Sequence, residues 1–217
     1  NLVQFIGFCI SEKHGLCCVS EYMQGKSLRH LFDNKRQSLS WPKEKIQIAM
    51  DIAAATVYLH SLRPRIIYHN IKAEKVLLTN RGVAKLSLHG RICRHERKFE
   101  GMTLLYDDIE WSAPEFITEN ENFDEKVDVY AFGVFLTELD TRDVPFAAEK
   151  AAMMMPRTEF AKKIVLGQLR PALSNSCPPC IKHIVNQCLK HDASMRPSSE
   201  RVLHMLREAR LELLDNT

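Results

Sequence analysis

The segment from about residue 125 to 139 constrains the fold more than any other part of the sequence. Apolar residues occur on every side of a predicted helix there: Val127, Val129, Tyr130, Ala131, Phe132, Val134, Phe135 and Leu136. A helix that is apolar all round belongs in the centre of a sizeable domain. Asp128 lies within it, so we expect a buried carboxylate, which is tolerated only when it is well hydrogen-bonded.

The composition indicates an ordinary globular protein. A chain of 217 residues can bury a substantial core, as one large domain or two small ones. The net charge of +3 is too small to indicate a nucleic-acid or membrane-surface partner. No apolar run approaches the roughly 18 residues that a membrane span needs. We therefore expect protein partners, with no nucleic acid and no membrane.

The chain start and the cysteines give two further expectations. Residues 1–10 lack a basic leader, a cleavage site and an initiator Met, so we expect neither a signal peptide nor a complete N-terminus. Seven irregularly spaced cysteines suit free thiols in a reducing compartment, so we expect a cytoplasmic protein. Cys177 and Cys180 form a lone C-P-P-C, without the second ligand pair or thioredoxin-like context that a zinc or redox role requires.

Short apolar runs predict two hairpins. Residues 1–10 and 16–22 flank a turn at Gly15, and residues 75–79 and 83–88 flank a second turn at Asn80-Arg81-Gly82. These strands are separated along the chain from the helical segments.

Helix-start signals and helical spacing predict the remaining elements. We expect Ser27 to cap a short helix, and Ser40-Trp41-Pro42 to open a longer one with a capping side chain and Pro in its first turn. Helical spacing of apolar residues marks one face of that longer helix and one of a last helix: Ile46, Ala49, Met50, Ala53 and Val57, then Val202, Leu206, Ala209 and Leu213. Because strands and helices are segregated, the predicted class is α+β.

The order of several segments resembles the protein kinase family. The segment Y-H-N-I-K-A-E-K-V-L-L (68–78) is similar to the catalytic loop H-R-D-L-K-x-x-N-V-L-L, and L-S-L-H-G (86–90) to the strand that ends in Asp-Phe-Gly. W-S-A-P-E (111–115) contains the Ala-Pro-Glu motif, D-V-Y-A-F-G-V (128–134) resembles the central helix, and Arg196-Pro197 the late arginine. The Y-L-H-S, W-S-A-P-E and C-P-P-C stretches are most similar to the tyrosine-kinase-like group of Ser/Thr kinases.

The resemblance implies a division of the chain. Residues 1–22 correspond to the last two strands of the kinase small lobe leading to the hinge, and residues 23–217 to the mostly helical large lobe. The Gly-rich loop, the third-strand lysine and the Glu-bearing helix have no counterpart in this sequence. A remnant of the nucleotide site would consist of Glu21, Met23, Leu77 and Lys72.

The resemblance also places non-acidic residues at the positions where phosphoryl transfer needs carboxylates or metal ligands. The catalytic-base position is Asn70, whose amide accepts hydrogen bonds but takes no proton at neutral pH. The two metal-ligand positions are Leu88, which offers no ligand atom, and Lys75, whose ammonium repels a cation. We therefore expect no metal site and no cofactor, with any ATP binding weak.

Other positions keep the residue type of the family. Asp128 would hold the catalytic-loop backbone, and Glu115 would pair with Arg196. Lys72 would contact either a phosphate, or else the backbone or a nearby carboxylate. His69 stands where the family has the arginine that receives an activation-loop phosphate, and is a weaker, pH-dependent substitute.

Three interpretations follow from these residues. The leading one is a pseudokinase that serves as a scaffold or allosteric module, with an active kinase as a candidate partner. The second is a Ser/Thr kinase domain with atypical motifs that transfers phosphate from ATP and is truncated here at its N-terminus. The third is a non-functional truncated product, which would expose apolar surface from Leu2, Val3, Phe5 and Ile6. A separate hypothesis concerns residual nucleotide binding, which would be metal-independent with Lys75 in the place of Mg²⁺, unless Lys75 is a solvated surface lysine.

Overall fold

The computed structural model describes most of the chain as helices and short antiparallel strands. The described residues are 1–34, 38–87, 93–94, 106–118, 123–149 and 155–215. Within them, the α-helices with both ends described are α1 (Leu28–Asp33), α2 (Ile46–Ser61), α3 (Pro114–Ile117), α4 (Lys126–Thr141), α5 (Arg157–Val165), α6 (Pro179–Cys188) and α7 (Ser199–Asp215). A 3₁₀ stretch over Tyr106–Trp111 is interrupted by a non-helical kink at Asp108, and a further 3₁₀ segment covers Ala193–Met195. No helix in this part of the chain has the length and apolar character needed to cross a membrane.

The strands form three two-stranded antiparallel sheets. They are β1 (Phe5–Ser11) with β2 (Gly15–Ser20), β3 (Ile66–Ile67) with β6 (Cys93–Arg94), and β4 (Val76–Leu78) with β5 (Ala84–Leu86). Both predicted hairpins are therefore present, and so is the predicted α+β class. Gly15 and Gly82 take positive φ angles of 68° and 80° at the turns, a region that glycine adopts without a steric penalty.

Helix α4 lies at the centre of the main core, as its all-round apolar sequence predicts. Val134, Phe135 and Leu136 are completely buried. At Gly133, an added Cβ would lie 2.8 Å from Cys188 Cβ, so only glycine allows α6 to pack this closely against α4. The helix ends at Arg142, which adopts a left-handed conformation with φ of 65°.

The start of α2 differs from the prediction. A π-helical turn over Trp41–Lys45 precedes the helix, and the Lys45 N–H donates to Ser40 O at 3.0 Å. The prediction that the Ser40 side chain caps the helix was wrong. Instead, the Ser40 hydroxyl and the Ser40 backbone N–H both donate to Glu44 Oε2, at 3.4 and 3.0 Å. At this helix start the side-chain acceptor is therefore Glu44. Ser27, in contrast, caps α1 as predicted, since its Oγ accepts from the His30 N–H at 3.2 Å.

The first residues attach to the large helical part through β5. Val3 N–H donates to Leu86 O at 2.9 Å, and Leu86 N–H donates to Asn1 O at 2.8 Å. Val3 is 3% exposed and Leu2 is half-buried, so the expectation that these two residues expose apolar surface was wrong. Phe5 and Ile6 are 54% and 65% exposed, because the β1–β2 hairpin extends away from the core.

Candidate functional site

The Asp128 carboxylate holds the backbone of the loop that follows β3. Its Oδ2 accepts from the Tyr68 N–H and its Oδ1 from the His69 N–H, both at 2.8 Å. His60 Nε2 lies 3.0 Å from Oδ2, and His60 Nδ1 lies 3.0 Å from Ser199 Oγ. Burial acts to raise the pKa of this fully buried carboxyl, but its hydrogen bonds, above all with His60, lower the pKa overall. The predicted buried, well hydrogen-bonded carboxylate is therefore present.

The His69 side chain is held in an aromatic cluster. Its ring stacks on Phe116 with centroids 4.9 Å apart, and it meets Phe123 edge-on at 5.2 Å. The backbone at His69 is left-handed, with φ of 60°. Burial lowers the pKa of His69, and the Asp128 charge opposes this only partly. A lowered pKa makes the histidine harder to protonate, and so less suited to the phosphate-receiving role expected at its position.

Lys72 is engaged by carboxylates of the chain itself. Its Nζ lies 2.7 Å from Asp108 Oδ1 and 3.0 Å from Glu74 Oε2, and 5.5 Å from the centre of the Trp111 ring. Its side chain is only 9% exposed. Burial acts to lower the pKa of Lys72, but the hydrogen bonds that its ammonium donates to Asp108 and Glu74 raise it overall. The sequence left open whether Lys72 contacts a phosphate or groups of the chain itself. In the structure its ammonium contacts two carboxylates.

The three positions expected to replace base and metal ligands differ in their surroundings. Asn70 is half-buried, and its buried Oδ1 accepts no hydrogen bond from the described residues. Lys75 is half-buried as well, and its ammonium has no ion-pair partner within the described part of the chain. Leu88 lies outside the described residues. Among the residues that are described, no three His, Cys, Asp or Glu side chains are grouped to hold a metal ion.

Glu115 and Arg196 form a two-point ion pair. Arg196 Nη1 and Nη2 donate to Glu115 Oε1 and Oε2 at 2.6 and 2.8 Å. The same guanidinium donates to three backbone carbonyls, those of Lys126, Lys190 and His191, at 3.0, 2.8 and 3.1 Å. The Arg196 side chain is completely buried, so this planar group links α3, α4 and the segment before α7 in a way a lysine could not.

A buried glutamate that sequence inspection missed joins four parts of the site. Glu138 on α4 accepts from the Ala73 N–H at 2.9 Å, and from Arg29 Nη1 and Trp111 Nε1 at 3.2 Å each. Burial raises the pKa of Glu138, and these donors only partly offset the effect. The residue lies in the apolar helix, and the sequence offered only one signal for it, a charge in a segment otherwise suited to the core.

Glu21, directly after β2, forms an ion pair with Lys85 on β5. Both oxygens of Glu21 accept from Lys85 Nζ, at 2.7 and 2.9 Å, and the Gln4 N–H donates to Glu21 Oε1 at 2.7 Å. The Lys85 hydrogen bond is the main cause that lowers the pKa of Glu21. Met23 is buried, while Leu77 is half-buried and bridges to Ser27. The side chain of Glu21 is thus engaged by Lys85 on β5 and by the backbone of Gln4.

Comparison with known families decides the assignment. The profile described as protein tyrosine and serine/threonine kinase matches residues 1–206, nearly the whole chain. The chain belongs to this kinase family.

Similar kinases come from plants and from Dictyostelium. The serine/threonine/tyrosine-protein kinase HT1 of Arabidopsis thaliana is 32% identical over 209 residues, which cover 95% of this chain and 50% of HT1. The serine/threonine-protein kinase STY46 of Arabidopsis thaliana is 30% identical over 213 residues, covering 98% and 35%. The probable serine/threonine-protein kinase roco7 of Dictyostelium discoideum is 30% identical over 210 residues, covering 95% and 8%. The chain spans half or less of each of these relatives.

Within this kinase domain, Asp108 is a second site residue that the motifs did not indicate. It lies at a non-helical kink in the segment before W-S-A-P-E, 36 residues after Lys72 in the sequence. A carboxylate close to the Ala-Pro-Glu motif was a visible signal, but its partner became evident only from the fold. The kinase loop therefore holds Asn70, Lys72 and Lys75 in one stretch, of which Lys72 is already paired.

Proposed function

We propose that this chain is a catalytically inactive kinase domain of the tyrosine-kinase-like group, acting in cytoplasmic signalling by binding protein partners. An active kinase is the candidate partner. The observation that carries the proposal is the pairing of Lys72 with Asp108 at 2.7 Å, in a loop whose base position is Asn70. Asn70, at the base position, cannot accept a proton, and Lys72 is paired with the carboxylates of Asp108 and Glu74.

The residue at the catalytic-base position alone predicts a large loss of catalytic rate. General-base catalysis contributes roughly 10²–10⁴ in rate, and an amide such as that of Asn70 supplies none of it. Stabilisation by a metal ion contributes several kcal/mol more, at about 1.4 kcal/mol per factor of ten. Lys75 and Leu88 supply no oxygen ligand for such an ion. The combined deficit supports the absence of ordinary phosphoryl transfer.

The structural residues of the domain support a binding role. Asp128 and Arg196 are buried and hydrogen-bonded, and Glu115, which pairs with Arg196, is half-buried. They hold the loop and the segment before α4 in place, although the loop lacks a catalytic base. Such an arrangement preserves the shape of a kinase large lobe, which is what a scaffold or allosteric partner presents.

The experiment is a radiolabelled phosphotransfer assay on the purified chain with a generic protein substrate, with and without Mg²⁺. The comparison variant carries Asn70→Asp, Lys75→Asn and Leu88→Asp. We expect no magnesium-dependent labelling by the unmodified chain. Robust labelling that requires Mg²⁺ overturns the proposal. In a second arm, calorimetry with a purified active Ser/Thr kinase of the same group measures binding, with the heat-unfolded chain as control.

A second candidate function is metal-independent nucleotide binding. The observation that favours it is that Lys75, unlike Lys72, has no carboxylate within ion-pair distance among the described residues. A half-buried ammonium at this position of the loop can take the place of a cation against phosphate oxygens.

A further inference from the structure

The β1–β2 hairpin carries three of the cysteines, and two of them face each other. In the antiparallel register, Cys9 is directly opposite Cys17, and Phe8 is opposite Cys18. Cys9 is exposed and Cys17 is half-buried, and both are free thiols. The hairpin therefore presents two thiols on opposed residues, which can react with each other.

Strand geometry gives directly opposed residues such as Cys9 and Cys17 a Cα separation that a disulfide can span. Directly opposed residues of an antiparallel pair have Cα atoms about 4.5 or about 5.5 Å apart, and disulfides span Cα separations of about 4.4–6.8 Å. Successive side chains of a strand point to opposite faces of the sheet. Cys9 and Cys17 therefore share one face, while Cys18 lies on the other face with Phe8.

We propose that Cys9 and Cys17 are an oxidation site, where a peroxide converts the two thiols into a cross-strand disulfide. The exposed Cys9 sulfur attacks the peroxide, forming a sulfenic acid and releasing one water. The Cys17 sulfur then attacks the sulfenic sulfur, so that the S–S bond forms and a second water leaves. Two electrons pass from the sulfurs to the peroxide, and both thiol protons end in water.

Outside the hairpin, Cys177 and Cys188 are buried and Cys180 is half-buried. Burial is the main cause that raises the pKa of Cys177 to about 12, and it raises that of Cys188 to about 12 as well. Cys180 is half-buried, and burial also raises its pKa. Because the thiolate is the reacting form, oxidation should concentrate on the hairpin.

The disulfide would fix the hairpin to one register. The described part of the chain places no third strand beside β1 or β2, and large apolar side chains on the hairpin are exposed, including Phe8 at 75% and Ile10 at 84%. Strands with few neighbours are prone to register slippage, and a slip of one residue moves every side chain to the other face. A bond between Cys9 and Cys17 excludes such a slip. Because the site is exposed, thiol reductants should reverse the bond.

The test uses the position of Lys13 in the hairpin turn. Trypsin cuts after Lys13 and after Lys26, which separates Cys9 on peptide 1–13 from Cys17 and Cys18 on peptide 14–26. The full chain is treated with hydrogen peroxide, free thiols are alkylated, and the non-reduced digest is analysed by mass spectrometry. We expect peptides 1–13 and 14–26 to be linked, with a mass two hydrogens below their sum, and to separate after reduction.

Three matched variants identify the bonded pair. Cys18→Ser should keep the linked peptides, whereas Cys9→Ser and Cys17→Ser should abolish them. All three sites are accessible on the hairpin, and circular dichroism of each variant checks that the fold is retained. Linkage that survives in Cys17→Ser but is lost in Cys18→Ser overturns the proposal. So does a bond within peptide 14–26, a bond between two copies of peptide 1–13, or oxidation without any linkage.

Discussion

The Lys72 ammonium lies 2.7 Å from the Asp108 carboxylate, which ties the catalytic loop to the segment before α3. Lys72 is largely buried, and Asp108 is 32% exposed. Glu74 also contacts the lysine at 3.0 Å, but its side chain is 60% exposed. The two carboxylates therefore differ in how much they stabilise the fold.

Replacing Asp108 with Ala should lower the free energy of unfolding by about 2 kcal/mol, because a buried ammonium loses its main partner. Glu74→Ala is the matched control, with an expected loss within about 0.5 kcal/mol because exposed ion pairs contribute little. Urea denaturation monitored by circular dichroism measures both. Equal losses for the two variants would show that Asp108 is not the dominant partner.

Arg196→Lys should be costly even though the charge is retained. The buried guanidinium uses Nε and both Nη atoms in bonds to Glu115 and three carbonyls, and a single ammonium cannot reach all of these acceptors. We expect a loss of about 3 kcal/mol or more in the free energy of unfolding.

The control for this prediction is Arg201→Lys on α7, where the arginine side chain is 56% exposed. Its expected effect is within about 0.5 kcal/mol. If Arg196→Lys unfolds the chain outright, Glu115→Gln provides a milder change to the same pair. An Arg196→Lys variant as stable as the unmodified protein contradicts the assigned structural role.

The half-buried His69 should make stability depend on pH. Its pKa is lowered in the folded state, so the unfolded state binds the proton more readily. The contribution is complete above the unfolded pKa of about 6.5 and is lost as the pH falls below that value. The melting temperature should therefore decline between about pH 7.5 and about pH 5.5.

His69→Asn should flatten that decline, since Asn does not titrate there and tolerates the left-handed backbone. The aromatic stacking is lost in this variant, so the slope, not the absolute melting temperature, is compared. The control, His204→Asn, replaces an exposed histidine and should leave the curve unchanged. A slope that persists in His69→Asn would assign the pH dependence to another group.

Lys75 should determine any nucleotide binding. A thermal-shift titration with ATP should give a stabilisation that does not require Mg²⁺ and that is lost in Lys75→Asn. Lys162→Asn, at an exposed position on α5, serves as the control and should retain the shift. The absence of stabilisation both with and without Mg²⁺ would end this hypothesis, and so would a shift that appears only with Mg²⁺.

Apolar patterning predicted the elements that are buried by many neighbours at once. The all-round apolar segment became α4, and both hairpins formed near their predicted bounds. The Ser40 cap was predicted wrongly, because a serine before Trp41-Pro42 fits a cap equally well in an ordinary helix and in a π-helical turn. A capping side chain indicates where a helix starts, but it does not specify the hydrogen-bond spacing of the first turn.

The sequence by itself determined which chemical groups the site holds: an amide at residue 70, ammonium groups at residues 72 and 75, and a carboxylate at residue 128. It also determined that Asp128 had to be buried, since the apolar period of α4 leaves no polar face. Only the tertiary structure decided that Lys72 pairs with Asp108 and that Ala73, Arg29 and Trp111 converge on Glu138. Such contacts join residues far apart in the chain, and their distances depend on how whole elements pack, which no local pattern encodes.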